Sequence, residues 1–392
     1  MATMQRLTGY RGPALFSYGF RPFFLFGAIY AGAIVPLWMA VFYGDVSLPT
    51  ALAPRDWHVH EMLFGYVGAV IAGFLLTAVP NWTGRLPIQG GPLGALFAIW
   101  LAGRLAATFS GIIGWQFALA IDATFWLLLA AAAAREIIAG RKWGNLKLVG
   151  IVSLLAATNI AFHIEAHFNG IADYSARAGV GLVVTLICVI GGRILPSFTR
   201  NWLSRQKPGR LPVPFGRFDA AAVAIGASAM GAWAVVPSGR AVAGALGVAG
   251  VLHVIRLARW AGHRTISDRL VLILHVAYAF GPAGFFLAAL SSLDLVAPSA
   301  GIHAWTGGAI GSMTIAVMTR ASLGHTGQEL SASTTTQAVY ASIIVAALAR
   351  ICAAVDPTYS ISLLMIAGIA WTGAFLGFAL SYAPALCRAR RF

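Results

Sequence analysis

Nine histidines are the residues through which this 392-residue sequence could do chemistry. His58 and His60 stand in Trp57-His58-Val59-His60-Glu61-Met62, His163 and His167 in His163-Ile164-Glu165-Ala166-His167, and His303 before Ala304-Trp305. His163 and His167 are i, i+4 and share one face of a helix, and His58 and Glu61, at i, i+3, can share another. Neutral imidazole suits copper, iron and zinc, whereas carboxylates suit harder ions. A haem takes one or two axial histidines from different helices. HxH and HxxxH also arise by chance, and a histidine at a headgroup interface can simply hydrogen-bond water. His167, at the end of its helix, is read that way.

Further positions bear on the same question. His275, in Leu274-His275-Val276, is a candidate second ligand or proton-relay site; the alternative is an imidazole bonded to a backbone carbonyl. His325 lies in Thr319-Arg320-Ala321-Ser322-Leu323-Gly324-His325-Thr326-Gly327, dense in hydroxyls and turn formers. Arg193 falls inside an apolar run without an obvious carboxylate partner; it either meets an anion such as a haem propionate or snorkels. Arg104 and Asp122 lie at similar depth in adjacent runs and are expected to pair. His253 and His263 read as ordinary residues of the opposite face.

These residues are set in a sequence that is 59% hydrophobic and only 10% charged, against about 25% charged in soluble domains. Apolar runs of about 20 residues cross a ~30 Å hydrocarbon core, and their backbone groups must be satisfied internally, so they should be helices. The expected spans are 22–42, 59–80, 93–110, 114–134, 147–167, 177–198, 218–236, 241–258, 270–291, 301–319, 336–354 and 360–382. No long hydrophilic insertion separates them, which predicts an all-α polytopic bundle of about twelve transmembrane helices in one membrane domain, 1–392. Met1 to Arg21 has no small-residue cleavage site, so the first span reads as a retained helix.

The net charge of +15 does not indicate nucleic acid, because the basic residues sit in short loops. Placing both termini in the cytoplasm puts Arg6, Arg11, Arg85, Arg135, Arg141, Lys142, Lys147, Arg200, Arg205, Lys207, Arg210, Arg217, Arg256, Arg259, Arg264, Arg269, Arg320, Arg388, Arg390 and Arg391 inside. Only Arg55, Arg177, Arg240 and Arg350 fall outside, as the positive-inside rule requires. The same sorting brings His58, His60, His163, His167 and His303 to the outer level and turns His275 and His325 inward. The longest loop, Arg200 to Arg217, is basic and proline-punctuated. Cys188, Cys352 and Cys387 form no CxxC pair and no disulfide framework. A phosphate-binding GxxxxGK[ST] loop, an HExxH helix and a GxSxG elbow are all missing, which leaves hydrolases and nucleotide-driven pumps without support. Spans two, six and ten are Gly-rich and leave through Thr83-Gly84-Arg85, Thr199-Arg200 and Thr319-Arg320, a pattern that would divide the chain into three pseudo-repeats of four helices.

Several motifs together resemble the NnrS family of bacterial inner-membrane proteins over nearly the whole chain. They are Arg21-Pro22-Phe23-Phe24-Leu25-Phe26-Gly27; His58-Val59-His60-Glu61-Met62-Leu63-Phe64-Gly65 leading to Pro80-Asn81-Trp82-Thr83-Gly84; Gly191-Gly192-Arg193 leading to Phe198-Thr199-Arg200-Asn201-Trp202; and Gly311-Ser312-Met313 leading to His325-Thr326-Gly327. The resemblance implies a twelve-helix protein carrying haem and copper and connected with nitric oxide metabolism and resistance to nitrosative stress. The family's histidine motifs fall here on His58, His60, His163, His275, His303 and His325. By fold-level analogy to haem–copper oxidases, His60 and His303 are expected as axial or copper ligands, with His275 and Arg193 toward the cofactor. His58, His163 and His325 are further metal candidates, and Glu61 an additional ligand or the group that orients an imidazole. The analogy breaks at span six, which has no histidine. A secondary transporter of a metal or small anion, or an accessory or sensor protein for nitric oxide reduction, is the competing expectation. Membrane lipid, nitric oxide and an electron donor of unknown identity are the partners to expect.

Overall fold

The computed structural model describes residues 10–389. Arg6, Arg390 and Arg391, counted above among the inner cations, and the first nine residues of the retained-helix reading lie outside the described residues.

Among those described, the fold is helical throughout, without strands. Twelve long helical stretches follow in chain order: α1 Phe20–Tyr43, α2 Pro54–Thr83, α3 Gly91–Thr108, α4 Trp115–Ala139, α5 Leu146–Asn169, α6 Asp173–Leu203, α7 Arg217–Val235, α8 Arg240–Ala258, α9 Arg269–Ser291, α10 (298–326), α11 Thr334–Val355 and α12 Ser360–Cys387. Eleven are long and apolar enough to cross a membrane. The exception is α10, which is rich in Gly, Ser and Thr and is built in three pieces: Pro298–His303, a π segment Ala304–Gly311, and Ser312–Thr326. Each expected span overlaps one of these stretches, and most helices run a few residues past the apolar window. Polar ends such as Pro54-Arg55-Asp56 at the start of α2 satisfy the helix but add nothing to hydropathy.

Contacts divide the chain into two compact units, with boundaries within α6, α10 and α12. Among the described residues the first comprises 10–179, 321–328 and 379–389; the second, 180–320 and 329–378. In the first unit α2 packs on α1 and α4, α3 on α4, and α4 on α5. Helix α2 is the most enclosed of these eleven, with 83% of its apolar window buried, so most of its side chains are withdrawn from lipid. Its course is interrupted: Pro54–His60 is α-helical, Glu61–Tyr66 is a π segment, and Val67–Thr83 returns to α. Pro54 starts it at a position that needs no N–H donor, and Gly84, at φ 70°, closes it as a left-handed cap. In the second unit α8 packs on α7 and α9, and α9 and α11 pack on the π segment of α10. The basic loop after α6 is ordered: Arg200 donates to the Pro212 carbonyl at 2.8 Å, and Arg264 to those of Lys207 and Arg210, each at 2.7 Å.

Candidate functional site

The polar heart of the first unit begins with the π segment of α2. Segments of this kind are rare and concentrate at functional sites. Here one starts directly after His60, and both His60 and its neighbour Glu61 are completely buried. Two features of the segment make room for a cation. A Cβ on Gly65 would lie 2.4 Å from Arg104 Nη1, and the Gly65 carbonyl is satisfied by Trp100 Nε1 at 2.9 Å.

Four other helices complete the group. Arg104 comes from α3, Asp122 from α4, Asn159 and His163 from α5 and Tyr30 from α1. The expected Arg104–Asp122 pair forms, with Arg104 Nη2 donating to Asp122 Oδ1, and Arg104 Nη1 donates to Glu61 Oε2 at 2.9 Å. Gly103 admits the aspartate, since a Cβ there would stand 2.7 Å from Asp122 Oδ1. The Tyr30 hydroxyl also donates to Glu61. His60 lies between the carboxylates, its Nδ1 2.9 Å from Glu61 Oε1 and its Nε2 3.1 Å from Asp122 Oδ2. Asp122 Oδ2 further accepts from Asn159 Nδ2 at 2.7 Å and lies 3.5 Å from His163 Nε2. Phe64 and Phe162 wall the His60 ring at 5.4 and 5.5 Å.

Charge counting says what such a group must hold. Two carboxylates and one guanidinium leave a single negative charge, and burying an uncompensated charge is prohibitively costly. A further cation therefore belongs here: a proton on His60, which can donate from both ring nitrogens, or a metal ion. His60, Asp122 and His163 each offer one donor atom, and these atoms all lie within 4.8 Å of one another. Donors about 2.0–2.2 Å from a tetrahedral metal stand ~3.3–3.6 Å apart, close to the 3.1 and 3.5 Å found from Asp122 Oδ2 to the two imidazoles. Asn159 Oδ1 is buried and has no hydrogen-bond partner among the described residues. Rotating that amide by a half-turn would bring an oxygen donor to the same point.

The expected residues therefore separate. His60, His163 and Glu61 come together. Glu61 stands behind His60 rather than among the three donors, the orienting role of a carboxylate–histidine–metal triad. His58 instead stacks on Trp38, with ring centroids 4.6 Å apart, and His167 stacks on Trp115 at 4.2 Å. His325 packs against the rings of Tyr18 and Phe20 at 5.6 and 5.4 Å. Asp122, Asn159 and Tyr30 were not among the expected ligands. The i, i+4 spacing of Asn159 and His163 is the signal in the sequence that puts that amide on the same face as the histidine.

In the second unit His303 ends the first piece of α10, and its Nδ1 donates to the Ser299 carbonyl at 2.8 Å. This leaves Nε2 as the basic nitrogen. His275 Nε2 is bonded to Thr199 Oγ1 at 2.8 Å. Arg193 is exposed on α6, as snorkelling requires. His253, read as ordinary, is instead buried, 2.7 Å from the Tyr278 hydroxyl and 3.8 Å from Cys188 Sγ, beside the Arg256–Asp219 pair.

No curated protein sequence matches the chain. The family model described as NnrS protein matches residues 14–390. At the level of the family this supports a nitric-oxide-related membrane protein. With nearly its whole length matched, the chain belongs to the NnrS family.

Proposed function

We propose that the protein is a metal-dependent component of nitric oxide metabolism and resistance to nitrosative stress in the bacterial inner membrane, with both termini cytoplasmic. Copper would be held by His60 Nε2, Asp122 and His163 Nε2. The observation that carries this reading is the triangle of two imidazoles and a carboxylate with Glu61 behind His60. Copper bound there supplies a one-electron couple. The protein's own groups do the rest. Arg104 offsets the carboxylate charge, Glu61 fixes the His60 tautomer through Nδ1, and Phe64 and Phe162 screen the ring from water.

For haem the residues fit differently. With both nitrogens against carboxylates, His60 is poorly disposed to be an axial ligand, whereas the Nδ1-bonded His303 has the tautomer such a ligand needs. His275 is also disposed to ligate, with Nε2 held by Thr199 Oγ1 and a buried Nδ1 that has no hydrogen-bond partner among the described residues, whereas Arg193 is exposed.

The test is metal analysis and optical spectroscopy of protein purified from cells supplied with copper and haem, beside His60→Ala and His303→Ala. About one copper per chain, lost in His60→Ala, and Soret absorption lost only in His303→Ala are the expected results. Wild-type protein without copper or Soret absorption refutes the reading.

One observation favours a second reading. Every oxygen of Glu61 and Asp122 is already paired within the protein, a closed network of the kind a proton-coupled secondary transporter of a small anion could use. Proton-dependent uptake into vesicles, with no stoichiometric metal, would establish it.

A further inference from the structure

At the opposite end of the first unit from α2's histidines lies a groove, built where α2 leaves through Gly84, where the connection to α3 runs, and between the facing sides of α3 and α4. Its volume is about 780 Å³. The two ends of this groove differ in chemistry. One is basic. Glu136 is nearly buried and accepts from Arg85 Nε at 2.5 Å and from Arg135 Nε and Nη2 at 2.9 and 2.8 Å. One carboxylate thus gathers two guanidiniums, whose side chains are 46% and 69% exposed, and the trio keeps a net positive charge. The other end is apolar, lined by Pro92, Ala95, Leu96, Ile99, Leu128 and Ala132.

We infer that this groove seats an anionic phospholipid, its phosphate on Arg85 and Arg135 and its acyl chain along α3 and α4. Guanidinium forks match phosphate oxygens bidentately, and Glu136 uses only part of the ten N–H donors of the two arginines. From Arg135 to Leu128 is seven residues, about 10 Å along a helix, which carries a chain from headgroup level into hydrocarbon. Leu127 and Leu128 are 53% and 43% exposed on a helix with the composition of a membrane span, so this wall meets acyl chains in any case. A free phosphate would satisfy the arginines and make no use of that wall. The basic sorting of the loops puts this end at the cytoplasmic leaflet, where anionic lipid attracts basic segments.

The test is native mass spectrometry of the full-length protein released from mild detergent, titrated with phosphatidylglycerol, phosphatidylcholine or inorganic phosphate. One retained phosphatidylglycerol per chain is expected, bound at least tenfold more tightly than phosphatidylcholine and not displaced by millimolar phosphate. Arg85→Gln with Arg135→Gln should remove the preference. Ala95→Trp, which fills the apolar end and leaves the charges intact, should weaken both lipids, and Arg240→Gln, in the second unit, should change nothing. Equal retention of the two lipids, an unaffected arginine double variant, or complete displacement by phosphate overturns the assignment. If the double variant fails to fold, an Ala95→Trp protein that keeps its phosphatidylglycerol overturns it alone.

Discussion

Replacing Glu61 with glutamine probes the group behind His60 in the proposed copper site, because glutamine keeps the shape, loses the charge and turns one acceptor oxygen into an NH2 donor. Glu61 Oε1 stands 2.9 Å from His60 Nδ1, and Oε2 accepts from Arg104 at 2.9 Å and from Tyr30. A hydrogen bond to a charged partner contributes about 1.5–3 kcal/mol and a neutral one about 0.5–1.5 kcal/mol, so neutralising the acceptor behind His60 removes roughly 1–1.5 kcal/mol of support for the ligating imidazole. At 1.4 kcal/mol per tenfold this is about a tenfold loss of copper affinity, at the lower edge of the 10–100-fold found when such orienting partners are removed. The assay is competition for copper against a chelator of known affinity, on protein whose thermal unfolding in detergent is followed in parallel. His163→Ala, which deletes a donor, should lose far more affinity than Glu61→Gln. If Glu61→Gln binds copper as tightly as wild type while His163→Ala does not, Glu61 does not orient His60. If both variants bind as wild type, the metal lies elsewhere.

Arg104→Leu strips Glu61 and Asp122 of their guanidinium and should destabilise the folded protein by about 3–5 kcal/mol, seen as a large fall in thermal stability in detergent. The triple Arg104→Leu/Glu61→Leu/Asp122→Leu variant should recover most of it, and a single variant as stable as wild type contradicts the charge counting. Gly65→Ala puts a methyl 2.4 Å from Arg104 Nη1. The flexible end of the arginine can move, so folding should survive while copper per chain falls; unchanged copper content would show that the guanidinium's position is not critical. Burial pushes the Tyr18 phenol, whose hydroxyl donates to the Thr77 carbonyl, up to about 12. An acid that holds its proton longer when folded loses stability as pH climbs from about 10 to about 12, and the loss should be smaller in Tyr18→Phe, as alkaline unfolding curves would show.

The bundle was legible in the sequence because hydropathy is a one-dimensional property: lipid requires a run of apolar residues wherever the chain crosses. Even the break in α10 has its sign there, in the Gly-Gly-Ala-Ile-Gly-Ser stretch that lowers its apolar character. The site was only half legible. Histidines at one membrane level follow from spacing and topology, and this put His60 and His163 together with His58, His167 and His303. Which of several imidazoles at that level converge depends on how each helix is rotated about its axis, and rotation is set by packing. His58, two residues from His60, is turned onto Trp38 for that reason. Asp122 was recognised as a partner of Arg104, but the pair looked self-sufficient. Only the packing of α4 against α2 and α5 reveals that its second oxygen serves two histidines and an asparagine.

Of the repeat read among spans two, six and ten, only two and ten share a backbone device; α6 runs as one α-helix from Asp173 to Leu203 without a π segment. His60 and His303 each close a short helix begun by a proline, each is followed at once by a π segment, and each precedes glycines five and eight residues on. Gly84 and Gly327, both 24 residues after their histidine, take up left-handed conformations at φ 70° and 76°. The histidine and π segment of the one lie in the first unit and those of the other in the second, while Gly327 belongs to the first. What differs is the company it keeps. In the first unit the device delivers its histidine into two carboxylates, a guanidinium and an amide, surroundings that hold a cation. In the second the histidine donates through Nδ1 to a backbone carbonyl, which fixes its tautomer. One backbone device thus carries a histidine into two different settings, and the setting is made by the helices packed around it rather than by the motif that carries the histidine.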